Sequence, residues 1–294
     1  MKHNVKDFDG KTRACSAIIY YVSIAIMVFG ISGLAFATSP RDLLPEKIKK
    51  AGVIRVATPL DYAPYGWLDA GTIEARGFEV EVGQAIGKIL GVEWNISDIK
   101  WEGLITGIGS GRHEVGAAGI SDRIKRQNNG NFVDFSTSSN AVVVETKNAE
   151  KFNGIDDLCG QTIGTCIGTS TVNVGHDLSD KCVARGKKPI QVKEYPTVPA
   201  TDLAMKSGRV PAIIVSTEQS GWAISSGLQP WKMVASGYMS EPIGFLVTKT
   251  VPGLDKAILA AVNELYASGR LKQIADKYGL GQSITKPGLN LATE

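Results

Sequence analysis

The chain has 294 residues, 43% of them hydrophobic and 21% charged, with a formal net charge of +3. That length suits about two domains of ordinary size, and that apolar share can bury a real core. The composition excludes wholesale disorder, a collagen-like repeat and a polytopic membrane protein, and so small a positive surplus excludes a dedicated nucleic-acid binder.

Residues 1–37 belong to a different compositional class. Met1 to Arg13 is polar, with Lys2, Lys6, Lys11 and Arg13 against Asp7 and Asp9. Ile18 to Ala37 carries no charge and ends in Ala35-Phe36-Ala37, followed by Thr38 and Ser39. A basic head, an apolar run and a small-x-small site read as a signal peptide cleaved after Ala37. An uncleaved membrane anchor is the alternative, because about twenty apolar residues span a bilayer. Gly30, Ser32, Gly33 and the Ala-x-Ala ending favour cleavage. Cys15 precedes the apolar run, whereas a lipoprotein cysteine follows it. Removing 37 of the 294 residues leaves 257, and the loss of four basic and two acidic residues lowers the surplus to +1.

Export permits disulfides. Cys159, Cys166 and Cys182 remain, so one thiol is left over. Cys159 and Cys182 flank a strand-plus-helix unit and Cys166 sits inside its strand, so a Cys159–Cys182 bridge is expected, with Cys166 as a buried small apolar residue. His113 and His176 form no ligand-spaced pair with another His or Cys, which argues against a zinc site.

Strands and helices then alternate. Val53–Thr58 is a β-rich run, and Gly77–Leu90 carries a helical stripe of Phe78, Val82, Ile86, Ile89 and Leu90 that Gly91 closes. Val92–Ser97 reads as a strand, Trp101–Gly109 as a helix, Val115–Ala118 as a strand, Asp122–Asn128 as a helical turn and Ala141–Glu145 as a strand. The alternation restarts with strand Thr162–Cys166, helix Thr171–Ala184, strand Ile190–Glu194, helix Ala200–Lys206, strand Ala212–Val215 and helix Thr217–Ser225. Strands near Met233–Ala235 and Ile243–Val247 precede two helices, Leu254–Ala267 and Arg270–Tyr278. The pattern is α/β in two blocks joined near Ser139–Ala141, with residues 286–294 expected to be a frayed tail.

An ordered set of short motifs carries a family resemblance from about Leu43 to Gly281. It comprises Gly52-Val-Ile-Arg-Val-Ala, Ala63-Pro-Tyr, Gly77-Phe-Glu-Val-Glu-Val, Trp101-Glu-Gly-Leu-Ile, Ser110-Gly-Arg and Ala118-Gly-Ile-Ser through Arg126 to Phe132. Asp157-Leu-Cys-Gly, Gly168-Thr-Ser, Ser207-Gly-Arg-Val and Glu241-Pro-Ile-Gly continue it. With these motifs the chain resembles the bacterial extracellular solute-binding proteins of family 3, receptors of polar amino-acid ABC transporters. The resemblance implies an α/β, two-lobed periplasmic-binding-protein fold of type II, with the ligand between the lobes and two chain crossovers at the hinge. One lobe would comprise residues 43–139 plus 238–285 and the other 141–236, with Ser139–Val142 and Ser236–Tyr238 as hinge. Such a protein closes on its ligand. Its expected partners are a small-molecule solute and the membrane permease of an ABC transporter, with no cofactor, no metal and no nucleic acid. It would work as a monomer in the periplasm.

The resemblance also implies a ligand site. Arg126 matches the arginine that grips a carboxylate, for which a guanidinium fork is suited; the ordinary alternative is a solvated charge in the Arg123-Lys125-Arg126 cluster. Gly119 and Ser121 match the strand end beside it, and would otherwise be a turn and a cap. Gly168, Thr169 and Ser170 lie where a strand meets a helix, whose free N–H groups suit an anion, although Thr169 or Ser170 could simply cap. Tyr62 and Trp101 match the two rings that sandwich the ligand, and could instead be core. Tyr65 and Trp67 are read as rim or core.

The departures limit the substrate. The family places an aspartate at Ser216 to hold an α-ammonium, whereas Ser216 and Gln219 here form a capping-box pattern. A serine supplies no countercharge, and burying an ammonium without one costs several kcal/mol. Either Glu218 replaces the aspartate, or the ligand lacks an ordinary free α-ammonium; the second is favoured. Arg123, Glu114 and Pro211 also depart from the pattern, which argues against a glutamine, histidine or arginine specificity. An enzyme on the same fold, a cyclohexadienyl dehydratase with Glu218 as acid, is the alternative.

Overall fold

The computed structural model describes Met1 and residues 39–293; the rest of the expected signal segment, with Cys15, lies outside the described residues. The first block runs α1 (Glu46–Ala51), β1 (Val53–Thr58), a ribbon of β2 (Asp61–Tyr62), β3 (Gly66–Leu68) and β4 (Ala75–Arg76), then α2 (Phe78–Leu90), β5 (Glu93–Asp98), α3 (Trp101–Gly109), β6 (Val115–Ser121) and α4 (Ile124–Gln127). Helix α2 forms where the stripe predicts it. Phe78, Val82, Ile86 and Leu90 are fully buried, Glu79 and Glu81 occupy the first turn, and Lys88 the last. Gly91 stops it in the left-handed conformation (φ 66°), with its N–H on the carbonyls of Gly87 and Lys88.

Two long strands follow the same logic. β7 (Asn131–Glu145) leads to β8 (Thr162–Cys166), α5 (Ser170–Ala184), β9 (Gln191–Tyr195), α6 (Val198–Lys206), β10 (Ala212–Ser216) and α7 (Thr217–Ser225). β11 (Trp231–Val247) then returns the chain to α8 (Leu254–Ala267), α9 (Arg270–Lys277) and β12 (Ile284–Leu289). The strand order is β5-β1-β6-β11-β7-β10-β8-β9, with β12 on β7. β1 is parallel to β5 and β6, and β8 is parallel to β9 and β10. The antiparallel strands β7 and β11 join these two parallel blocks.

Each long strand serves both lobes. Phe132, Val133 and Phe135 of β7 enter the cores of the first lobe, while Val142, Val143 and Val144 enter those of the second. Successive residues point to opposite faces. Val142, Val144, Ala212 and Ile214 therefore pack with Leu178 and Cys182, and Val143, Ile213 and Val215 pack with Met205 and Trp231 on the other side. Helices cover both faces of a parallel block, which explains the unbroken apolar runs.

Three expectations are corrected. The strand expected at Ala141–Glu145 begins ten residues earlier, at Asn131, and the strands near Met233–Ala235 and Ile243–Val247 are the two ends of β11. Both segments expected to form the hinge lie inside these strands, where Tyr238 pairs with Asn140 and the register shifts repeatedly. The expected tail, residues 286–294, is docked as far as it is described. β12 pairs with β7, the Leu291 N–H donates to Asp134, and the Ala292 N–H donates to Asp122. The Cys159–Cys182 bridge is present, with the two Cα atoms 5.6 Å apart, and Cys166 is a buried free thiol. Among the described residues no helix is long and apolar enough to cross a membrane.

Candidate functional site

A cavity of about 100 Å³, open at its mouth, lies at the carboxyl ends of the parallel strands. β6 brings Gly119 and Ser121 to it, β8 brings Cys166, and β10 brings Ser216. Crevices at strand ends are the usual binding places of α/β sheets.

Arg126 leaves α4 and reaches across the cleft. Its Nη1 donates to the Ser121 carbonyl and its Nη2 to the Gly168 carbonyl, both at 2.9 Å. Its guanidinium lies 5.3 Å from the centre of the Trp101 ring, within cation–π range. Burial, with help from neighbouring Arg123, pulls its pKa down to about 10, so it stays charged at neutral pH. Among the described residues no carboxylate ion-pairs with it; Glu241 is paired with Arg123 at 2.6 Å instead.

The N-terminal end of α5 faces the same space through Thr169, Ser170 and Thr171. Thr169 is the cap: its hydroxyl accepts the Thr171 N–H at 3.3 Å and donates to the Cys166 carbonyl at 2.8 Å. The Ser170 hydroxyl donates to Asn140 on β7 at 3.1 Å. Gly168 is not among the lining residues and contributes its carbonyl to Arg126.

On the other wall Tyr62 stacks on Tyr65, with ring centres 5.1 Å apart, and donates its hydroxyl to Ser216 at 2.9 Å. Burial raises the phenol's pKa. Gly119 is in the left-handed conformation (φ 56°), and a Cβ there would meet the Tyr65 ring at 3.0 Å. Only glycine suits both conditions. Its N–H donates to the buried Glu79 at 2.9 Å, and burial raises that carboxyl's pKa to about 8. Ser216 caps α7 by accepting the Gln219 N–H at 3.1 Å, as the capping-box pattern predicts.

Glu218 is not among the lining residues. Its carboxylate accepts from Ser138 of β7, and burial raises its pKa. Tyr65 is core, only 2% exposed, and Trp67 packs against Trp222 and Tyr278. The structure adds wall residues that the sequence reading did not select, among them Asp61, Asn140, Cys166, Thr201, Gln219 and Glu241. Two carried a usable signal: Glu241 opens the Glu-Pro-Ile-Gly motif, and Cys166 ends a strand two residues before Gly168. Among the described residues no group of three or more His, Cys, Asp or Glu side chains could hold a metal ion.

Comparison with known proteins agrees with this geometry. Residues 54–282 match the family described as bacterial extracellular solute-binding proteins, family 3. The chain is 26% identical over 272 residues to the L-cystine-binding protein TcyJ of Escherichia coli K12, covering 90% of this chain and 95% of that one. It is 24% identical over 252 residues to the arginine-binding protein ArgT of Corynebacterium glutamicum, covering 84% and 81%. A crystal structure of the ancestral amino acid-binding protein AncCDT-1, a precursor of cyclohexadienyl dehydratase, superposes with a TM-score of 0.67 at 21% identity, covering 79% of this chain and 97% of that one.

Proposed function

The chain belongs to the bacterial extracellular solute-binding proteins of family 3, and from that premise we propose that it is the periplasmic receptor of an ABC importer for a small carboxylate-bearing solute. The solute is an amino acid or an amino-acid derivative, held between the lobes and handed to a membrane permease. The lobes comprise residues 43–139 with 238–293, and residues 141–236. The signal segment directs export and is removed. Both named relatives are binding proteins, which supports a non-enzymatic role.

One observation carries this reading. Arg126 presents a charged guanidinium to the cavity, and its partners are two carbonyl oxygens with no carboxylate among them. A cation so placed is matched by a ligand anion, for which its remaining N–H groups are donors. Thr169, Ser170 and the end of α5 give the same anion a second set of dipoles. Tyr62 and Trp101 flank its stem. The enzyme alternative names Glu218 as its acid, and Glu218 is engaged with Ser138 outside the lining.

The test is a melting-temperature screen of the mature protein against amino acids, N-alkylated amino acids and small carboxylates. A ligand at 100 times its Kd adds about 2.7 kcal/mol. A hit should vanish in Arg126→Ala; a hit that survives that change removes the carboxylate grip. Conversion of prephenate or arogenate to aromatic product would establish the enzyme instead.

A further inference from the structure

Ser216 has a hydrogen-bond inventory that can be closed. A hydroxyl oxygen accepts two hydrogen bonds and donates one. Both acceptances are taken: the Tyr62 hydroxyl donates to Ser216 Oγ at 2.9 Å, and the Gln219 N–H donates at 3.1 Å. The carbon and these two protons fill three tetrahedral directions around the oxygen. The fourth holds the serine's own proton, for which no protein acceptor is found among the described residues. Ser216 lines the cavity and is 8% exposed, so bulk water has little access to that proton.

We infer that Ser216 presents a hydrogen-bond donor to the ligand, and that the solute carries an acceptor oxygen there in place of an ammonium group. This rests on the receptor reading above and deepens it by naming the solute's class. An ammonium has three donors and no acceptor, so it would face a proton with a proton. Glu218 is turned to Ser138 and Glu241 is paired with Arg123, so among the described acidic residues that line the cavity only Asp61, on the exposed rim, is left without a cation. Two chemistries share the required oxygen on an amino-acid skeleton. An Nα-acyl group offers a carbonyl, and an N-carboxyalkyl group offers a second carboxylate. Either keeps the first carboxylate for Arg126.

The experiment is isothermal titration calorimetry of the mature protein with three sets: the L-amino acids, their Nα-acetyl derivatives and their N-(1-carboxyethyl) derivatives. The expected result is a derivative that binds at least tenfold more tightly than its parent amino acid. The second and third sets tell acyl oxygen from carboxylate. Ser216→Asp keeps an acceptor for Tyr62 and for the α7 cap but replaces the donor with a charge. It should weaken the derivative at least tenfold and strengthen the parent. Ser216→Gly, which removes the hydroxyl and is tolerated as a cap, should weaken the derivative without helping the parent. A parent amino acid that binds wild type as well as its derivatives, or binding indifferent to Ser216→Asp, overturns the inference. So does an absence of binding in all three sets. A hit that prefers the parent and is lost in Arg126→Ala sinks this inference alone, whereas a hit that Arg126→Ala leaves intact sinks the carboxylate-receptor reading beneath it.

Discussion

The two lobes reach the cavity with different chemistry. The first brings a charge and two rings: Arg126, Trp101 and Tyr62. The second brings neutral dipoles, namely the capped end of α5 and the hydroxyl of Ser216. The lobes meet across the cleft where Arg126 reaches the Gly168 carbonyl and Tyr62 reaches Ser216. On the proposed reading, charge recognition sits on one side and completion of the site on the other. First-lobe substitutions should remove binding, and second-lobe substitutions should change its selectivity or the lobe's own stability.

The largest expected effect tests the first half of that division. Arg126→Ala should weaken a carboxylate ligand about a thousandfold, about 4 kcal/mol, as truncation of a buried charged partner does. Calorimetry reads it directly. Affinity kept within threefold would break the comparison at its strongest point.

Next comes the second lobe's staple. Cys159 and Cys182 are 23 residues apart and both lie in that lobe. A loop of this length gains about 3 kcal/mol from cross-linking. Replacing both cysteines by serine should lower the unfolding free energy extrapolated from a urea titration by that amount. Tryptophan fluorescence sharpens the test: Trp231 belongs to the second lobe's core and Trp94 to the first, so loss at Trp231 should precede loss at Trp94. Simultaneous loss would show the lobes unfolding as one unit.

A smaller effect separates rings from charge within the first lobe. Trp101→Ala should cost about tenfold in affinity, about 1.4 kcal/mol, through lost ring contact and the lost cation–π partner of Arg126. A loss near that of Arg126→Ala would mean that Trp101 acts mainly by holding the guanidinium in place.

Much of this division was legible in the sequence, for a physical reason. Local signals write local structure: the helical stripe of α2 with Gly91, the capping pattern of Ser216 and Gln219, and the apolar runs of β8 and β10 all form where expected. The middles of β7 and β11 were not legible. Ser136–Asn140 is polar and Ser236–Ser240 sets Gly237 beside Tyr238 and Met239, with no strand pattern in either; long-range pairing makes them strand, Tyr238 on Asn140 and Glu241, Pro242 and Ile243 on Ser138, Thr137 and Ser136. β12 contains Pro287 and Gly288, poor strand formers, and it is held by β7, Asp134 and Asp122, which lie far away in the chain. The site divides in the same way. Motif positions such as Gly119, Ser121, Arg126, Thr169 and Ser170 reached the cavity wall, though Gly168 did not, whereas Asn140 and Thr201 were brought there by tertiary packing. Glu218 shows the converse: adjacency to Ser216 in sequence suggested the cavity, and the first turn of α7 directs the side chain to Ser138.

The last effect is one of pH and concerns the carboxyl beneath the proposed ligand wall. Glu79 is 2% exposed; one oxygen accepts the Gly119 N–H and the other has no partner. Burial raises its pKa from 4.5 to about 8, so the folded protein holds a proton that the unfolded chain has released. Between those two values the native state binds more protons than the unfolded state, and stability must fall as pH rises. Above about pH 8 both states are ionised at this site and its contribution levels off. Glu79→Gln resembles the protonated side chain and can still accept from Gly119. It should therefore be nearly neutral only below about pH 4.5, where the carboxyl is protonated in both states, and increasingly stabilising from there to about pH 8, so clearly stabilising at both pH 7 and pH 9. Urea unfolding of both proteins at pH 5, 7 and 9 measures this. Parallel pH profiles would mean that Glu79 is ionised throughout, and that a second, negative charge lies close behind the wall that Arg126 makes positive.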